Sequence, residues 1–152
     1  MRVLVIEDDP NKMEIVCAFL GEARPAHELR VAGSYKSGLK EMTAEWAEVF
    51  LLDMSLPTFD MSASEAGGSL LALGGRNLMR QMQLRRINTP VIVITQFETF
   101  GPEAPSLQAL EHSLRVEFPD IFVGCVYYNA AVLGWQRSIT TLLDKVSRHG
   151  IA

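Results

Sequence analysis

Four short apolar runs punctuate the chain, at residues 3–6, 49–52, 91–94 and 121–128, each rich in branched or aromatic side chains and too short for a helix. They are predicted as buried strands. A fifth run, Leu29-Arg30-Val31, alternates in polarity and precedes Gly33, the pattern of a half-exposed edge strand. Between the runs, apolar residues recur with helical period. Asp9 followed by Pro10 reads as an N-cap with proline in the first turn, and Met13, Val16 and Leu20 then share one face until Gly21. Ser34 caps a second helix carrying Tyr35, Leu39, Met42 and Trp46. A third, near residues 76–86, presents Leu78, Met79 and Met82; Leu107, Leu110 and Leu114 mark a fourth, and Trp135, Ile139, Leu142 and Val146 the last. Strands that are apolar on both faces and alternate with helices predict a parallel sheet covered on both sides, an α/β doubly wound fold.

With 152 residues, 48% of them hydrophobic and 21% charged, the chain is expected to form a single domain over residues 1–152. A core of this size buries roughly 70% of the surface exposed by the unfolded chain, so folding needs no metal or disulfide staple. Two stretches interrupt the alternation. Residues 58–75, small and polar from Met61 to Ser69, read as an expanded loop after the third strand, and residues 96–105 form a long connection after the fourth. The Gly67-Gly68 and Gly74-Gly75 pairs read as flexible loop elements, because no G-x-x-x-x-G-K pattern surrounds them.

Charge and cysteines narrow the function classes. Fourteen Lys and Arg against eighteen Asp and Glu give a net charge of −4 without a clustered basic face, so no nucleic-acid partner is expected. Neither a signal-peptide apolar region nor a stretch of ~18 apolar residues occurs, which predicts a cytoplasmic protein with no membrane contact. Cys17 and Cys125 lie far apart and outside any C-x-x-C pair, and are expected to be buried thiols. His27, His112 and His149 share no ligand spacing and are expected at the surface. Trp46 and Trp135 are expected in the core, and Tyr127 and Tyr128 on opposite sides of one strand.

In an open α/β sheet, ligands bind beyond the carboxyl ends of the strands where strand order reverses. The first strand is followed by Glu7, Asp8 and Asp9, the third by Asp53, and the fourth ends on Thr95. If strands one and three are neighbours, several carboxylates converge, and like charges a few ångströms apart raise one another's pKa unless a counter-charge intervenes. Oxygen ligands of this kind suit Mg²⁺, which commonly takes one or two carboxylates together with phosphate oxygens. That chemistry points to phosphoryl transfer, with a carboxylate as nucleophile.

Three segments, Val3-Leu4-Val5-Ile6-Glu7-Asp8-Asp9-Pro10, Leu51-Leu52-Asp53-Met54-Ser55-Leu56-Pro57 and Pro90-Val91-Ile92-Val93-Ile94-Thr95, together resemble the receiver domain of bacterial response regulators. The resemblance spans nearly the whole chain. It implies the flavodoxin-like receiver arrangement, a five-stranded parallel sheet of order 2-1-3-4-5. It also implies Glu7 and Asp8 as the metal-binding acidic pair, Asp53 as phosphoacceptor and metal ligand, the Ser55 backbone carbonyl as a further ligand of Mg²⁺, and Thr95 as the switch hydroxyl. The family carries a lysine at the end of strand five. Here that region reads Gly124-Cys125-Val126-Tyr127-Tyr128-Asn129-Ala130, placing Tyr128 or Asn129 at the lysine position, and no lysine occurs between Lys40 and Lys145. Neither residue supplies a positive charge. Gln96 also departs from the small residue the family favours after the threonine.

The resemblance therefore implies a stand-alone receiver that takes a phosphoryl group onto Asp53 from a histidine kinase or phosphotransfer protein. The chain runs out just after its last predicted helix, so output is expected through contact with a downstream protein. The face of helix four, strand five and helix five is the partner or homodimer surface, and would include residues 107–114, Tyr127 or Tyr128, and Trp135. Two alternatives stand beside this reading. One is a pseudo-receiver that binds partners without phosphorylation, favoured by the absent lysine and by Gln96. The other is a small Mg²⁺-dependent phosphatase, disfavoured because the first strand lacks a D-x-D pattern and Ser55 stands where a general acid is needed.

Overall fold

A computed structural model describes residues 1–57, 70–71, 74–96, 106–131 and 134–148 of the chain. In order these form β1 (Arg2–Ile6), α1 (Pro10–Ala23), β2 (Glu28–Ala32), α2 (Tyr35–Thr43), β3 (Val49–Leu52), β4 (Leu56–Pro57), β5 (Leu70–Leu71), α3 (Gly74–Leu84), β6 (Val91–Thr95), α4 (Leu107–Glu117), β7 (Phe122–Tyr127) and α5 (Gly134–Arg148). The main sheet has the order β2-β1-β3-β6-β7, and every pair in it is parallel. Counting only these five strands, this is the order 2-1-3-4-5 of the doubly wound fold expected from the sequence.

The alternation of side chains along each strand divides the core in two. Leu4 and Ile6 of β1, Phe50 and Leu52 of β3, and Val91 and Val93 of β6 pack on one face with Met42, Leu78, Met79 and Leu114. Val3 and Val5, Val49 and Leu51, and Ile92 and Ile94 pack on the other with Val16, Leu20, Trp135 and Ile139. Because both faces are covered, these three strands are buried throughout except at Arg2, which opens β1. The outer strand β2 is the half-exposed edge expected, keeping only Ala32 buried, although Val31, an apolar position of its alternation, is exposed as well.

The register slips between Val91 and Ile92 against β7. The slip moves the side-chain phase, so Val126 and then Tyr128 lie on the face shared with α1 and α5, while Tyr127 is exposed. The two tyrosines thus point apart, as expected.

Several local expectations need correction. Helix α2 ends at Thr43, and Glu45 adopts the left-handed φ of 54°, so Trp46 leaves the helical face and its half-buried ring stacks under Arg30 at 4.3 Å instead of entering the core. On α5 the fully buried position is Leu143, with Leu142 half-buried. Of the proposed partner face, Leu110, Leu114, Tyr128 and Trp135 are core residues; Tyr127 keeps an exposed ring. His27 is half-buried, whereas His112 is exposed and His149 lies outside the described residues. Both cysteines are half-buried free thiols, and burial with Glu111 nearby pushes Cys125 up to about 12, which keeps it in the unreactive thiol form.

The expanded segment is bracketed by a short antiparallel ladder between β4 and β5. Residues 58–69, 72–73 and 97–105 lie outside the described residues. Gly74 and Gly75 are not loop elements: they open α3 and are buried. The Gly75 amide donates to the Met54 carbonyl at 2.9 Å, and a Cβ at Gly75 would collide with the Asp53 carbonyl oxygen and lie 2.9 Å from the Met54 Cα. Since backbone cannot swing aside, Gly75→Ala is expected to cost about 1–3 kcal/mol in a thermal melt. Gly21→Ala, exposed in α1 with nothing within 4 Å of the added carbon, should instead stabilise by about 0.5–1 kcal/mol.

Candidate functional site

The acidic triplet after β1 is divided among three roles by its local geometry. Asp9 caps α1, its side chain accepting from the backbone N–H groups of Asn11 (2.9 Å) and Lys12 (3.4 Å). The Glu7 amide donates to Ala32 O at 2.9 Å and the Asp53 amide to Ile6 O at 3.0 Å. The parallel ladders therefore continue one residue past each strand and fix both backbones at the carboxyl edge of the sheet. Glu7 and Asp53 are buried and Asp8 is exposed, and one carboxylate oxygen from each of the three lies within 4.8 Å of the others.

The structure also brings a residue into this site that the motifs did not indicate. Lys12 lies on the buried stripe of α1 with Val16 and Leu20, and is 3% exposed. Its Nζ is 2.6 Å from Glu7 Oε2 and 3.5 Å from Asp53 Oδ1, and donates to the Ile94 carbonyl at 3.2 Å. The Tyr128 ring covers the ammonium from 5.6 Å. Lys12 lines, with Glu7, Asp53, Val5, Val16 and Ile94, a cavity of about 10 Å³, at the lower limit of the space one water needs. A signal was present in the sequence. Lys12 stands four residues before Val16 and eight before Leu20, on the apolar face of an amphipathic helix, where a lysine is buried only if an acid receives it.

Electrostatics follow from this packing. Burial is the largest influence raising the pKa of Glu7, to about 8, assisted by the Asp53 charge and opposed by Lys12. Asp53 is likewise raised by burial, with Lys12 opposing and Asp8 adding to the rise. A carboxyl with a raised folded-state pKa binds its proton more tightly in the folded than in the unfolded chain. Metal-free protein should thus lose stability as pH rises from the ordinary 4.5 of Glu7 towards 8, and Glu7→Gln should flatten that slope in melts at successive pH values.

The remaining expected site residues occupy distinct positions. Thr95 is buried at the end of β6, and its carbonyl accepts from the Tyr128 amide at 2.9 Å. Tyr128 packs on Trp135 with ring centres 5.2 Å apart, next to the Lys12 ammonium. Asn129 turns away into its own loop, where its side-chain oxygen accepts from the Ala131 amide at 2.9 Å. Ser55, two residues beyond Asp53, is exposed, as is Gln96. The oxygen-only donor set of Asp8, Asp53 and Glu7 matches what a hard divalent cation requires. Among these, Asp8 and Asp53 are the better placed to give charge to a metal, because Glu7 is already neutralised by Lys12.

No protein-family model matches the chain. It is 33% identical to the uncharacterized protein y4jR of Sinorhizobium fredii, over 91% of this chain and 94% of that one. It is 25% identical to the Detocs response regulatory protein DtcB of Enterobacter cloacae, over 97% of this chain and 99% of that one. Among solved structures, a CheY-like response regulator receiver domain protein from Methanospirillum hungatei superposes with a TM-score of 0.62 at 19% identity, covering 98% of both chains.

Proposed function

Because the chain belongs to one family with y4jR and is a response-regulator receiver domain by fold, we propose that it acts as a phosphoacceptor in a two-component phosphorelay. Asp53 receives the phosphoryl group from a histidine kinase or phosphotransfer protein in the cytoplasm, and the phosphorylated chain signals by contact with a downstream protein. The observation that carries this reading is the convergence of Glu7, Asp8 and Asp53 within 4.8 Å at the carboxyl edge of the sheet.

In the proposed step an Asp53 carboxylate oxygen attacks phosphorus as the P–N bond of the donor phosphohistidine breaks. The electron pair of that bond stays on the donor imidazole, which takes a proton from solvent. Asp8 and Asp53, with the Ser55 carbonyl, would hold Mg²⁺, which supplies positive charge against the phosphoryl oxygens when bound. Thr95, at the end of the neighbouring strand, is the hydroxyl assigned to hydrogen-bond a phosphoryl oxygen and so report the phosphorylated state.

The test is the intact mass of the chain after incubation with Mg²⁺ and acetyl phosphate. One added phosphoryl group that depends on Mg²⁺ supports the acceptor. A second reading, a pseudo-receiver that binds partners without phosphorylation, is favoured by the Lys12–Glu7 ion pair at 2.6 Å, which neutralises part of the pocket with no metal. Absence of the adduct in protein that binds Mg²⁺ would select that reading.

A further inference from the structure

The charge that the family places at the end of the fifth strand is lacking from that strand here. The cation at the site comes from the first helix instead. Lys12 is the buried lysine or arginine among the described residues, and its Nζ faces both acids of the pocket. Its contacts are graded. Glu7 at 2.6 Å and the Ile94 carbonyl at 3.2 Å anchor the ammonium, while Asp53 at 3.5 Å is the looser partner. A phosphoryl group bonded to an Asp53 carboxylate oxygen as an acyl phosphate would put its oxygens on that looser side. The residue that ends up beside the cation on β7 is Tyr128, whose buried ring covers it from 5.6 Å.

Resting on the phosphoacceptor reading, we propose that Lys12 is the phosphoryl-contacting cation of this chain. It is relocated from the fifth strand to the first turn of α1, with Tyr128 as the aromatic cover that fills the vacated strand position. In the resting state the ammonium sits between Glu7 and Asp53 and offsets one of their two charges. When Asp53 attacks the phosphorus of acetyl phosphate, the P–O bond to the acetyl group breaks and acetate leaves with the electron pair. The third N–H of Lys12 then passes from the Asp53 carboxylate to a phosphoryl oxygen, and Glu7 and Ile94 keep holding the other two. A cation already resident between Glu7 and Asp53 also competes electrostatically with a divalent metal at Asp53.

The experiment uses three proteins, of which the first two carry the same net pocket charge and the third carries one positive charge more. They are the wild type, Lys12→Met combined with Glu7→Gln, and that pair combined with Tyr128→Lys, each shown to be folded by its thermal melt. Phosphoryl adduct yield and lifetime are measured by intact mass after acetyl phosphate, and Mg²⁺ affinity by titration. Loss of one hydrogen bond between charged groups should shorten the adduct lifetime about tenfold or more in the double variant. Adding Tyr128→Lys should return part of it. Mg²⁺ should bind the double variant more tightly than it binds the wild type. Unchanged adduct yield and lifetime in the double variant, with unchanged Mg²⁺ affinity, would overturn the role of Lys12 while leaving Asp53 as acceptor. A wild type that takes no phosphoryl group overturns the acceptor reading and the phosphoryl contact together. The Mg²⁺ titration then still decides whether Lys12 is the resident cation of the pocket.

Discussion

Asp53→Asn should gain no phosphoryl group from acetyl phosphate under conditions in which the wild type gains one. The amide has no anionic oxygen to attack phosphorus, and its neighbours offer no replacement at the same point. Glu7 is held by Lys12 at 2.6 Å and accepts the Asp9 amide at 3.1 Å, so its oxygens are directed away from an incoming donor. Asp8 is exposed at the rim, beyond the strand end that aligns Asp53 through its amide bond to Ile6. The substitution is close to isosteric and leaves the Asp53 backbone ladder in place, so the melt should stay near that of the wild type while the adduct disappears. Intact mass and peptide mapping read both results. A phosphoryl group retained on Asp53→Asn would transfer the acceptor role to Asp8 and would leave the fold assignment untouched.

The second large effect concerns stability. Lys12→Met alone strips the cation from Glu7 and Asp53, both buried, and leaves two carboxyls facing each other across the sheet edge. Breaking a buried ion pair from one side costs about 3–5 kcal/mol, because the abandoned charge is still desolvated. At about 2–4 °C per kcal/mol for a domain of this size, the melting temperature should fall by roughly 10 °C. Pairing the change with Glu7→Gln removes the abandoned charge and should recover most of the loss. The difference between the double variant and the sum of the singles is then the coupling energy of the pair. A single Lys12→Met variant as stable as the wild type would mean that Glu7 takes up a proton once the ammonium is gone and that the ion pair contributes nothing net.

The exposed surface bears on partner choice as well. Of the apolar side chains first assigned to the helix-four and helix-five face, Leu110, Leu114, Tyr128 and Trp135 are buried in the core, and among the described residues Val116 and Tyr127 are the exposed large hydrophobics of α4 and β7. Among the described residues no helix is long and apolar enough to cross a membrane.

Much of this protein is legible along the chain because its strands are buried on both sides. Four unbroken apolar runs separated by helical periods admit few arrangements other than a covered parallel sheet, and the caps at Asp9 and Ser34 are written in residue type. Glu7 and Asp53, which directly follow apolar runs, and Thr95, which ends one, likewise mark the strand ends in the sequence, and the structure gathers Glu7, Asp8 and Asp53 there. The tertiary structure decided what depends on distance between segments far apart in sequence. Gly75 reads as a loop residue until the Asp53 and Met54 backbone is seen against it. Tyr128 faces α1 because a register slip against β6 shifts the phase of β7, which no local pattern encodes. The spacing of Lys12 to Val16 and Leu20 puts it on the apolar face of α1, but the sequence does not say which acid receives it. Only the cap at Asp9, which sets the phase of α1, and the pairing of β1 with β3, which brings Glu7 beside Asp53, turn its ammonium into the buried charge of the site.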